Sequence, residues 1–212
     1  MIRVFKRAVP LGLLISLVLG STAFASTKDV SIAGFAFSPT PVKVGIGGAV
    51  KWTNNDATTH TTTSDGIDAC CPNGPSLWAS GPLAGSGAGT FQLTFAVAGT
   101  YTYHCSIHTS MRGTVQVSMK ANPTSGTTTT QFTIMWASAA GIPSGYTADI
   151  QIMRPDGNGW VAWKTGESGT QIKAKFTPDF GAGTYQFRTH LNNTSTAKSS
   201  GFSKATSITV TP

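Results

Sequence analysis

The sequence predicts an all-β protein built from two modules, and three observations carry that reading. Thr accounts for 32 of the 212 residues, and Val, Ile and aromatics recur in short alternating runs. There is one Glu, Glu167, and no stretch of ten or more residues has the apolar 3.6 period of an amphipathic helix. The strand-like runs fall into two groups, divided at 122–130 by Pro, Gly, Ser and four consecutive Thr. A charged fraction of 11% with a mean hydropathy of +0.02 excludes a disordered chain. About 200 residues are enough for two small domains, each with its own core.

Residues 1–25 read as a secretory signal peptide rather than as fold. Arg3, Lys6 and Arg7 form a basic head, Leu11 to Leu19 a short apolar core, and Ala23-Phe24-Ala25 a small-x-small cleavage site. The mature chain is expected to start at Ser26, as a secreted, periplasmic or extracellular protein with no membrane span. Losing those three cations takes the formal charge from +7 to +4. The remaining Lys and Arg are scattered singly without interleaved aromatics, so nucleic acid is not an expected partner.

In the first module, strands are expected at Val30–Phe37, Val42–Val44, Ala49–Thr53, Thr90–Phe95, Thr100–His104 and Gly113–Met119. Gly45-Ile46-Gly47-Gly48 and Ala98-Gly99 read as hairpin turns. In the second, strands are expected at Gln131–Trp136, Ala148–Arg154, Trp160–Trp163, Gln171–Phe176, Gly183–Leu191 and Thr206–Val210, the spacing of a small β-sandwich. Along Tyr185–His190, alternation puts Tyr185, Phe187 and Thr189 on one face and Gln186, Arg188 and His190 on the other. Trp160 and Trp163, beside Asp156-Gly157-Asn158-Gly159, offer a contact surface, with core packing the expected use of at least one.

The chemistry lies in Tyr103-His104-Cys105-Ser106-Ile107-His108-Thr109-Ser110-Met111, together with His60 further upstream. Two imidazoles, a thiolate and a weak thioether are the ligand types that suit copper passing single electrons. Cys105 ends a strand, and His108 and Met111 come from the loop that follows it. His60 follows the strand through Trp52 and the polar Asn54-Asn55-Asp56 turn. Alternation turns His104 away from Cys105, which makes it a surface histidine. If one copper takes His60 and His108, then His104 and His190 are too few for a further catalytic copper, and the chain is not expected to be an enzyme.

Residues 28–119 resemble the cupredoxins, the blue-copper family of plastocyanin and amicyanin. The resemblance rests on Asp29–Phe37, Lys51-Trp52-Thr53-Asn54, His60-Thr61, Gly99-Thr100-Tyr101 and Cys105-x-x-His108-x-x-Met111-Arg112-Gly113 in family order, the short His108–Met111 spacing being amicyanin-like. It implies a Greek-key β-sandwich and one type 1 copper held by His60, Cys105, His108 and Met111. It further implies single-electron transfer with transient redox partner proteins through His108, with Ile107 in the apolar collar. A copper carrier without redox turnover is the alternative. Two features depart from the family. Thr61 stands where many members have a bracing Asn, and an extended segment before Phe91 holds Cys70, Cys71 and Trp78. For Cys70 and Cys71 a vicinal disulfide is the favoured reading; bridges to another chain, a second Cu(I) site and unmodified thiols stay open.

The second half resembles a fibronectin type III module, on Trp136, Tyr185-Gln186-Phe187-Arg188-Thr189-His190-Leu191-Asn192 and Gly201-Phe202-Ser203. The resemblance implies a second β-sandwich used for docking or spacing. The expected domains are therefore a signal peptide at 1–25, a cupredoxin domain at 26–120, a linker at 121–130 and the second sandwich at 131–212. No expected ligand lies beyond Met111, so a chain ending near Lys120 is expected to fold and keep the site.

Overall fold

The computed structural model describes residues 26–65 and 77–212. The expected signal peptide and the Cys70-Cys71 pair lie outside the described residues. Among the described residues there are strands and no helix: β1 Thr27–Ala33, β2 Ala36–Ser38, β3 Val42–Gly45, β4 Ala49–Asn54, β5 Thr63–Ser64, β6 Thr90–Thr94, β7 Gly99–His104, β8 Arg112–Ser118, β9 Lys120–Asn122, β10 Ser125–Thr127, β11 Phe132–Met135, β12 Tyr146–Met153, β13 Val161–Glu167, β14 Lys173–Phe176, β15 Gly183–Asn193 and β16 Thr206–Thr211. The all-β expectation holds.

Strands β1 to β8 make two four-stranded sheets, in the orders β2-β1-β4-β6 and β3-β8-β7-β5. Each carries one parallel pair, β1 with β4 and β3 with β8. Alternation does the sorting. In β4 the pattern buries Val50 and Trp52, and in β7 it buries Tyr101 and Tyr103. Between the sheets Trp52 packs edge-on against Tyr103 at 5.6 Å, with Trp78, Phe91 and Phe37 joined to the same aromatic cluster.

Three local expectations are corrected. The run Val30–Phe37 is not one strand but a hairpin, β1 and β2 joined at Gly34-Phe35 with Ala33 facing Ala36. Gly45–Gly48 and Ala98-Gly99 are not hairpin turns, because each leads from one sheet to the other. Gly48 makes the first crossing feasible, since a Cβ there would lie 2.9 Å from the Gly45 carbonyl oxygen. The Pro- and Thr-rich stretch is more than loop, as β9 pairs with β11 and β10 with β16.

Strands β9 to β16 form the other two sheets, β10-β16-β15-β12-β13 and β14-β11-β9. Phe132, Ile134, Trp136, Ile150, Ile152, Phe187 and Ile208 are buried between them. Tyr185, Phe187 and Thr189 face inward as the alternation predicts. Trp163 serves the core against Phe176 and Phe187, and Trp160 lies under the Arg188 guanidinium at 4.3 Å. These sheets clasp the start of β7. Ala98 N donates to Trp136 O, Ser138 N to Ala96 O, and Thr100 and Gly201 exchange a pair of backbone hydrogen bonds.

Candidate metal centre

Cys105 follows the last residue of β7, and β8 begins at Arg112, so residues 105–111 form one short loop. Backbone bonds close it: Cys105 N donates to Met111 O, and Met111 N to His108 O. At its base Tyr103 faces Gly113 across the ladder. A Cβ on Gly113 would lie 2.2 Å from Tyr103 Cζ, so the residue under the loop must be glycine while that ring stays packed. His60 comes from the connection after β4. Asn54 shapes that connection, donating to Thr58 O and Leu83 O while accepting from Asp56 N. A two-way backbone bridge to Leu83 then fixes His60, which is fully buried.

These segments bring His60, Cys105 and His108 together. Cys105 Sγ is 3.7 Å from Nδ1 of each histidine, and the two Nδ1 atoms are 3.0 Å apart. The circle through those three atoms has a radius of about 2.0 Å, which matches the bonding distance of a metal ion to imidazole and approaches that to thiolate. Burial pushes the Cys105 thiol up, but the Thr61 and His108 amides, His60 and the Ile107 amide outweigh it and bring it down to about 6. At neutral pH it is a thiolate, the form that ligates metal.

The outer nitrogen of His60 is equally well defined. Nε2 lies 2.9 Å from Asp56 Oδ2 and 3.1 Å from Thr58 Oγ1. The Phe35 amide, offset in part by burial and joined by the Gly34 amide and His60, holds the Asp56 carboxyl below the usual carboxylate range. An ionised carboxylate only accepts, so Nε2 carries the proton and Nδ1 turns a lone pair toward the centre. A thiolate and an imidazole lone pair aimed at one point, with a second imidazole beside them, fit a cation.

Thr61 does the bracing work that its identity left open in the sequence. Its amide donates to Cys105 Sγ at 3.3 Å, and its hydroxyl accepts from Ser106 N at 2.7 Å. Met111 is buried at the end of the loop. His104 points elsewhere, its Nδ1 2.5 Å from Asp65 Oδ1, which also accepts from Arg112. His190, in β15, stacks on Phe202 away from the trio. Among the described residues, His60, Cys105 and His108 are the one group of three or more His, Cys, Asp or Glu gathered closely enough to hold a metal.

Residues 25–118 match the family described as copper binding proteins, plastocyanin/azurin family. Amicyanin-alpha of Methylorubrum extorquens is 33% identical over 95 residues, which cover 44% of this chain and 73% of that protein. The chain belongs to the plastocyanin/azurin family. Among solved structures, a mutant amicyanin in its Cu(I) form is 29% identical, with a TM-score of 0.37, covering 44% of this chain and 82% of that one. A purple cupredoxin from Nitrosopumilus maritimus is 29% identical, with a TM-score of 0.35, over 42% of this chain and 98% of that one. Copper is the cofactor of this cupredoxin, and the matched stretch ends at residue 118, the last residue of β8.

Sequence reasoning located the residues of the trio and missed those behind it. Asp56 was visible only as part of a polar turn, although it stands four residues before His60, and Phe35 was hidden inside a run read as continuous strand.

Proposed function

We propose that this cupredoxin carries single electrons through one type 1 copper, which His60, Cys105 and His108 would hold with Met111 as the fourth donor. The observation that carries the reading is the triangle of Cys105 Sγ and two Nδ1 atoms. Bound copper supplies a one-electron Cu(I)/Cu(II) couple. The protein's part is to hold donors that tolerate both states and to keep them from rearranging. Two amides steady the thiolate, Asp56 fixes the tautomer of His60, and the buried His60 anchors the inner side. His108 is half-buried beside the exposed Ile107, which makes it the port through which a transient redox partner is met.

The rest of the reading concerns organisation. Residues 1–25 direct secretion to the periplasm or beyond, residues 26–120 form the copper domain, and the C-terminal sheets are a fibronectin type III-like docking or spacer module. The sheet orders and Tyr185 support the last point: its hydroxyl accepts from Phe180 N and donates to Gly181 O, the corner motif of such sandwiches.

Copper-loaded protein should be intensely coloured when oxidised, and Cys105→Ala should remove the colour. Voltammetry should be reversible at constant copper content, and Met111→Gln should lower the potential while the site stays occupied, because a harder oxygen donor favours Cu(II). A colourless complex refutes the type 1 site. Irreversible voltammetry with copper lost on each turnover replaces electron transfer with copper delivery.

A further inference from the structure

Gly34 and Phe35 are the two central residues of the turn between β1 and β2, and both have left-handed backbones, with φ of +58° and +56°. Glycine takes that conformation freely. Phenylalanine does not, and two-residue turns of this kind favour Asn or Gly at both positions. Phe35 is also 52% exposed, so burial does not account for its presence either. Its contacts do. The ring meets His60 edge-on at 5.2 Å and 87°, and His108 at 4.9 Å and 86°. One exposed aromatic thus stands against two members of the trio that are 48 residues apart in sequence.

The turn is held in place by the residue that holds His60. Asp56 Oδ1 accepts from Gly34 N at 2.6 Å, and Oδ2 accepts from Phe35 N at 3.0 Å and from His60 Nε2. Asn55 adds a backbone bond to Ile32 and a side-chain bond to Ser31. The strained residue is therefore clamped by its backbone to the connection that delivers His60, so the root of its ring moves with that histidine.

We propose that Phe35 is a positioning residue of the copper centre: its ring, carried on a turn clamped by Asp56, wedges against both imidazoles and keeps each Nδ1 directed at Cys105 before copper arrives. This rests on the reading of the trio as the copper site. A ring perpendicular to both imidazoles obstructs the rotation that would exchange Nδ1 for a ring carbon. The need is greatest at His108, which lies on the short loop and is only half-buried. Backbone strain at such a position persists when contacts over-determine it.

Phe35→Gly and Phe35→Asn keep a turn-compatible backbone and remove the ring, whereas Phe35→Tyr keeps the ring. In the full-length, metal-free chain, side-chain NMR should show one His108 ring orientation in the wild type and in Phe35→Tyr, and averaging in Phe35→Gly and Phe35→Asn. The latter two should melt no lower than wild type, because the turn is relieved. After loading, they should release copper to a chelator about tenfold faster, the low end of the usual effect of residues behind a ligand. A single His108 orientation in Phe35→Gly and Phe35→Asn overturns the proposal, as does wild-type copper release from them, a lowered melting temperature in both, or equal loss in Phe35→Tyr. The NMR comparison needs no metal, so a wild-type chain that fails to bind copper refutes the site assignment without deciding the role of Phe35.

Discussion

Cutting the chain after Lys120 removes every partner that the C-terminal sheets offer to β7, and the structure sets the size of the effect. Among the described residues four backbone hydrogen bonds tie residues 96–100 to the C-terminal sheets, Ala98 to Trp136, Ser138 to Ala96, and the reciprocal pair between Thr100 and Gly201. Each contributes about 1 kcal/mol net, because water replaces the lost partner, so together they amount to about 4 kcal/mol. Val97 and Ala98, buried at the seam, add to this by becoming exposed. Against a total stability of about 5–15 kcal/mol that is a large fraction. For a domain of this size it corresponds to a fall in Tm of roughly 15–30 °C. The truncated chain retains every proposed ligand, so it is still expected to bind copper, but at much lower stability. Calorimetry of both metal-free chains checks it: the full chain should unfold in one transition with equal calorimetric and van't Hoff enthalpies, well above the truncated one. Two separate transitions in the full chain, or a truncated chain melting within about 5 °C of it, would refute the coupling.

Thr61→Val leaves the amide bond to Cys105 and removes both the acceptor for Ser106 N and the long hydroxyl bond to Cys105 Sγ, so stability to urea should fall by about 1 kcal/mol, with Thr61→Ser restoring it. Gly113→Ala drives a methyl into Tyr103, whose ring is backed by Trp52, Trp78 and Phe37 and cannot retreat; chemical denaturation should show a loss of about 1–3 kcal/mol. In the C-terminal sheets, the hydrogen bond from Arg154 lowers the Asp179 carboxyl against a smaller opposing effect of burial. A depressed carboxylate stabilises above its unfolded pKa of about 3.9 and ceases to do so as pH falls through the folded value. The stability difference between wild type and Asp179→Asn, up to about 1 kcal/mol for an exposed pair, should therefore be constant at neutral pH and shrink as pH falls below the ordinary carboxylate range in urea titrations. A difference that grows on acidification would reverse the sign of the argument.

What could be read in advance follows from how each feature is encoded. The trio is composed of rare residue types, and Cys105 and His108 lie three apart on one loop, so identity and spacing were enough to find them. Strands were legible where alternation is long, as in β7, β8 and β15. The β1–β2 hairpin was not, because its turn places Phe at a position that turn chemistry assigns to Asn or Gly, and an apolar residue in an alternating run reads as strand. The seam was invisible for another reason: beside the side-chain bonds of Thr100 to Phe202 O and Thr206 to Met119 O, it is made by backbone groups, those of Ala96, Ala98, Thr100 and Gly201 among them, and backbone bonding leaves no trace in residue type. Asp56 lay between these cases, a carboxylate at a suggestive offset whose role depends on where the Gly34-Phe35 amides and the His60 ring arrive in space.

The two ends of β7 connect these observations. At one end the strand hands over to Cys105, and at the other Thr100 is bonded to Gly201 and Ala98 to Trp136. Five residue-to-residue steps of extended chain separate Thr100 from Cys105, about 17 Å at the usual strand rise. The C-terminal sheets therefore grip the strand that carries the thiolate at its opposite end, leaving Phe35, Ile107 and His108 uncovered by that clasp. A module attached beside the histidines would compete with a redox partner for them. One attached here restrains the strand that leads into Cys105 and leaves the approach to His108 open.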